Sequence, residues 1–172
     1  MIKGITFDEQ QISAANMGHF MNVFSGKQSG VTQGCEVTYD SDNLYIAEGY
    51  MLLSGRQVQI VGTQTVPFLT VISGELYCKI VFQIDLSQTN TESTFLQGTI
   101  ETLSSSSAYP AVRQDDIDDG GTIFQWPIAQ YHVTVSGAEN VVDLTDTVSV
   151  DWVSKSNFTL NTSTNTLTID LT

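Results

Sequence analysis

The chain has 172 residues, 41% of them hydrophobic and only 15% charged, and nineteen acidic side chains against six basic ones give a formal net charge of −13. A chain of this length buries about 70% of its unfolded surface in one domain, so it needs neither metal nor disulfide to fold. The acidic balance repels phosphate backbones and anionic lipid, which argues against nucleic-acid and membrane partners.

The opening MIKGITFDEQ lacks the apolar core of a signal peptide, and no window reaches membrane-span length, so export by the general pathway is not expected. Residues 13–25, SAANMGHFMNVFS, read as a helix because Met17, Phe20, Met21 and Phe24 recur at i, i+3, i+4 and i+7. Ser13 is the expected N-cap and Gly26 the expected C′ residue. Gly18 weakens the helix by about 1 kcal/mol relative to Ala, so packing has to hold it in place. The Met and Phe stripe is expected to face the core, with a partner-binding face as the alternative.

From residue 34 onward nearly every segment reads as strand. Between residues 30 and 62, Gly30, Gly34, Gly49, Gly55 and Gly62 each fall where a strand pattern stops, as turn and bulge residues do. A phosphate loop would instead cluster its glycines at the head of a helix. Short strands are expected at 35–39, 43–48, 56–61, 68–72, 94–100 and 131–136. The clearest strand is LYCKIVFQIDL (76–86), where Leu76, Cys78, Ile80, Phe82, Ile84 and Leu86 alternate with a more polar face. Cys35 and Cys78 follow no metal-ligand spacing and read as buried thiols. Asp85 stands in this apolar strand, and Arg56, which follows a tight glycine turn, is its expected partner. Residues 104–121 form the one long irregular segment, expected to be a mobile surface loop. Asn157 to Leu171 reads as a hairpin with Leu167, Ile169 and Leu171 on one face. The expected architecture is mainly β, an antiparallel β-sandwich with one N-terminal α-helix. Residues 1–147 form the domain and 148–172 a C-terminal hairpin extension of it.

Chemistry is sparse. Neither His19 nor His132 stands beside a recognisable nucleophile, and there is no dinucleotide, Walker or HExxH motif. The acidic run at Asp116, Asp118 and Asp119 resembles a fragment of a calcium loop. The bidentate acid it needs at loop position 12 is Pro127, so the motif fails. An enzyme is not expected, nor is a cofactor. A saccharide-binding module is the rival class, with Trp126, Tyr131, Tyr109 and Trp152 as candidate contacts.

The order of segments also carries a resemblance. A helix ISAANMGHFMNVFSG, then GVTQGCEVT, then LYIAEGYMLLSGRQVQI resembles the shoulder domain of baseplate and receptor-binding tail proteins of phages, and prophages, of Gram-positive bacteria. The matching positions are Gly30, Val31, Gly34, Cys35, Val37, Gly49, Gly55, Arg56 and Val58. IVFQIDLS, FQWPIAQYHVTVSG and VVDLTDT continue the pattern, although Val148 stands where the family often has Arg. The resemblance covers most of residues 10–147. It implies a virion protein of the phage tail tip, made in the host cytoplasm, that acts by protein–protein assembly. Its expected partners are other tail and baseplate proteins, copies of itself in a trimer or hexamer, and host cell-wall polysaccharide in the rival reading.

Overall fold

The computed structural model describes residues 12–148, 157–161 and 166–170. The fold is mainly β, with one N-terminal helix, α1 (Ala14–Phe24). Strands β1 (Gly30–Gly34), β2 (Val37–Tyr39), β3 (Asn43–Ile46), β4 (Gly49–Leu53), β5 (Arg56–Ile60) and β6 (Gln64–Pro67) follow. They form two three-stranded antiparallel sheets, ordered β1-β4-β5 and β2-β3-β6. Strands β7 (Leu76–Asp85), β8 (Gly98–Ser105), β9 (Ile123–Thr134) and β10 (Gly137–Asp143) form a four-stranded antiparallel sheet in the order β10-β9-β7-β8. A 3₁₀ turn (Ile117–Asp119) lies between β8 and β9. Strands β11 (Asn157–Asn161) and β12 (Thr166–Asp170) pair with each other as the expected hairpin, whose turn lies outside the described residues.

The alternation read from β7 is realised in its packing. Cys78, Ile80, Phe82 and Ile84 are buried, while Tyr77, Lys79, Gln83 and Asp85 on the other face are only partly so. Leu44, Ile46, Met51 and Leu53 from the smaller sheets complete the same core. Both cysteines are free and buried. Strand β9 is central yet contains Pro127, which cannot donate to a ladder. The register shifts between Ile80 and Val81, whose partners are Ala129 and Pro127, so the proline sits at a bulge.

The 104–121 segment is not the free surface loop expected from its polarity. It begins within β8 and crosses the outer face of the large sheet as a strap. Lys79 Nζ donates to Pro110 O at 2.6 Å, and Tyr109 sets its edge against Tyr77 with ring centroids 5.3 Å apart. Beyond the crossing, Gln125 N donates to Arg113 O at 2.7 Å, and Arg113 N donates to Gln125 Oε1 at 2.8 Å. The side chains of Gln125, Gln83 and Glu101 continue these bonds across three strands. Backbone groups of the strap therefore supply partners to a polar sheet face.

The strand expected at 68–72 is also displaced, to β6 at 64–67. Phe68 and Leu69 enter the core from irregular backbone because Tyr131 is there to receive them. The Phe68 and Tyr131 ring centroids lie 4.6 Å apart, and Leu69 N donates to the Tyr131 hydroxyl at 3.2 Å. Tyr131 is 0% exposed, and burial pushes its phenol from the ordinary 10.0 up to about 12. The folded state thus holds this proton more tightly than the unfolded state. Its contribution is complete below about pH 10 and is lost as pH rises towards 12, a difference of about 2–3 kcal/mol. We expect urea denaturation midpoints to fall through this window. Tyr131→Phe should flatten that fall while costing about 1–2 kcal/mol at pH 7, because Leu69 N loses its acceptor. Equal alkaline slopes for the two proteins would disprove the assignment.

Candidate functional site

The site is built where α1 meets the β4–β5 hairpin. Ser13 caps the helix as expected, its side chain accepting from Asn16 N at 3.1 Å, and Gly26 follows the helix with φ 65°. The β4–β5 hairpin turns through Ser54 and Gly55, both with positive φ, as a two-residue turn requires. Here the backbones come together. A Cβ added at Gly55 would lie 2.0 Å from Gly18 O, and one added at Gly18 would lie 2.7 Å from the Arg56 guanidinium carbon. Two absent side chains let the helix settle onto the turn, with Arg56 lying over Gly18.

Polar bonds then fix the rotation of the helix. Arg56 Nη1 donates to Ala14 O, while its Nε is buried without a partner. Asn22 Nδ2 donates to Asp118 Oδ2 at 2.7 Å, and His19 Nδ1 lies 3.3 Å from the same oxygen. The bond from Asn22, followed by contact with His19, holds the Asp118 carboxyl below the usual range. Gly18 and Asn22 are consequently the buried positions of the helix.

Most of the apolar stripe is therefore exposed, with Met21 half-buried, which corrects the expectation that it faces the core. Met17, Phe20 and Val23 are 45%, 59% and 61% exposed. The Phe20 ring stacks on Phe24 at 5.9 Å. A cleft of about 380 Å³, lined by Met17, Met21, Arg56, Ile84, Leu86 and Phe95 among others, separates the helix from the sandwich. Across it, Phe95 and Leu96 extend the exposed apolar surface.

The remaining candidates fall elsewhere. Arg56 and Asp85 do not pair: Asp85 accepts from Ser87 N and Oγ and from Gln88 Nε2, which close the turn after β7 and lower its carboxyl pKa. Gly34 and Cys35 both adopt positive φ at the end of β1. Gly30 and Gly49 are close-approach positions rather than turns, since an added Cβ would strike Asp146 O and Gln33 O respectively.

The acidic run is occupied by structural bonds. Asp115 is gripped by Arg113 and by the amides of Ile123 and Thr122, which hold it far below the usual carboxylate range. Asp116 caps the 3₁₀ turn and Asp118 ties down the helix, so they and Asp119 do not converge. Among the described residues, no three acidic, histidine or cysteine side chains form a metal-binding group.

The saccharide candidates are also corrected. Trp126 and Tyr131 are 5% and 0% exposed and cannot stack on a sugar, Tyr109 is half-buried against Tyr77, and Trp152 lies outside the described residues. Their alternation with Val133 and Phe124 along β9 was the available signal for burial. His132 lies on the opposite face of β9, between Glu75 and Glu139 at 2.9 and 3.0 Å, where it ties three segments together.

Compared with known proteins, the chain matches no family profile and no curated protein. Among the described residues, no helix is long and apolar enough to cross a membrane.

Three substitutions test the docking geometry. Gly55→Ala should cost more than about 1 kcal/mol and release the helix, because positive φ and a backbone collision act together. Gly62→Ala, with the same sign of φ but open space around it, should cost less and leave the helix docked. Asp118→Ala should speed amide exchange in α1 with little effect on β7 and β9, since it removes the tie from Asn22 while sparing the sandwich. Uniform acceleration across helix and sheet would show that α1 is not a separable unit.

Proposed function

We propose that the chain is a non-enzymatic assembly module that joins protein partners through the outward face of α1. Following the resemblance of residues 10–147, we assign it to the tail tip of a phage or prophage, as a component of the baseplate or adsorption apparatus. The carrying observation is the exposed run of Met17, Phe20 and Val23 on a helix without one Asp, Glu, Lys or Arg, in a chain of net charge −13. Elsewhere the surface charge keeps copies apart. This face carries none of it, and apolar area removed from water supplies roughly 25 cal/mol per Å².

The carboxylates and histidines offered by the sequence are committed to caps, ion pairs and inter-segment ties, which supports scaffold over catalysis. The burial of Trp126 and Tyr131 weakens the saccharide-binding alternative. In this reading the partners are other tail proteins and further copies of the chain in a ring of three or six, the protein works within the virion, and no cofactor takes part.

Light scattering after size exclusion tests the reading, across concentration and salt, since salt screens the repulsion between acidic surfaces. The expected result is a multiple of 18.8 kDa that grows with concentration and falls to the single-chain mass in Phe20→Asp. A wild-type monomer under every condition would argue against the proposal.

A further inference from the structure

Strand β5 stands at the edge of the β1-β4-β5 sheet, and β8 stands at one edge of the large sheet. Leu53 and Arg56 pair across the two-residue turn that joins β4 to β5. Counting on from that pair, the alternation of an antiparallel ladder points the N–H and C=O of Gln57 and Gln59 away from β4. Among the described residues no hydrogen bond reaches these outward groups, and both glutamines are exposed.

Every residue of β5 also lines a cleft. Arg56, Gln57 and Val58 line the cleft of about 380 Å³ beside α1, and Val58, Gln59 and Ile60 line a second of about 590 Å³ towards β8. Val58 and Phe95 belong to both, so the two clefts form one groove along the open edge. Phe95 is held there by its loop, in which Asn90 Oδ1 accepts from Leu96 N at 2.8 Å and from Gln97 N at 3.1 Å.

The groove has the chemistry of one kind of occupant. Unpaired edge amides and carbonyls match another strand, and aliphatic and aromatic walls match apolar side chains. The chain carries nineteen acids, yet Arg56 is the one charged side chain among the described residues of either lining. Its Nη1 donates to Ala14 O, and its Nε is buried without a partner. Among the described residues it forms no ion pair. A guanidinium in such a cleft is complementary to a carboxylate. The helix stands across this end of β5, because Gly18 packs on Gly55. A strand added antiparallel to β5 runs towards that barrier and meets it with its C-terminus.

We propose that β5 takes the C-terminal segment of a partner protein as an added antiparallel strand, with alternate apolar side chains in the groove and the terminal carboxylate at Arg56. Neither Phe20 nor Val23 lines the groove, so the inference stands apart from the assembly reading and from its test.

A library of heptapeptides tests it, each with Val, Ile, Leu or Phe at alternate positions and a free C-terminal carboxylate. Immobilised full-length protein should retain members that Gln59→Pro does not, since proline there removes an outward N–H and spares the bonds to β4. Gln59→Ala should retain them as wild type does. For the strongest member, amidating the C-terminus should weaken binding about tenfold. Its binding should also slow hydrogen exchange at the Gln57 and Gln59 amides. Equal retention, or none, by wild type and a Gln59→Pro protein of unchanged near-ultraviolet circular dichroism would overturn strand addition. Binding that leaves both amides exchanging at the free rate would overturn it too, and decides the matter even if Gln59→Pro fails to fold. Equal affinity for acid and amide would overturn Arg56 as the anchor.

Discussion

The contact between Gly18 and Gly55 decides what this molecule shows to its surroundings. Backbone meets backbone there because neither residue has a side chain, and the helix cannot rotate about that point without raising its carbonyl off the turn. Arg56 lying over Gly18 and Asn22 bonded to Asp118 lock the same orientation. Burial follows from this close approach and not from the helix's own hydrophobic pattern. A small-residue contact has outweighed the usual tendency of an amphipathic helix to bury its apolar stripe. The exposed face is thus a consequence of tight docking, and the helix can be firmly held and apolar outward at once.

The large sheet solves a different problem. Its inner face is a conventional apolar core, whereas its outer face carries Lys79, Gln83, Gln125 and His132, which need partners. The strap supplies carbonyls, an amide and an aromatic edge to that face, and the side-chain bonds among Gln125, Gln83 and Glu101 tie three strands beneath it. After crossing, the same segment delivers Asp118 to the helix. One excursion between β8 and β9 therefore finishes the sheet and anchors the helix.

Much of the fold was legible because it is written in local patterns. The eleven-residue alternation around β7 announced a half-buried strand, and Ser13 and Gly26 marked the helix ends by their capping chemistry. What depended on distant residues was not legible. Gly18 could be read only as a weakness of the helix, since its value lies in the approach of a turn 37 positions later. Asp118 looked like part of a calcium-loop fragment because its partner Asn22 is 96 residues away. The 68–72 segment has good strand residues, yet Tyr131 draws Phe68 and Leu69 out of any ladder. The candidate site suffered most, because its position is set by a rotation of the helix that no periodicity encodes.

The order of β7 and its neighbours along the chain has a kinetic side. Strand β8 can pair with β7 after a short connection, but Tyr77 reaches its β9 partner His132 only after 55 further residues have been placed. Closing so long a loop is entropically slow, and topologies dominated by such pairings fold in milliseconds to seconds. During that wait one edge of β7, with its buried Cys78, Ile80, Phe82 and Ile84, stands open. The strap lies between β8 and β9, so it belongs to the loop whose closure brings β9 to that edge. The longer that closure takes, the longer the open edge of β7 is available to other chains.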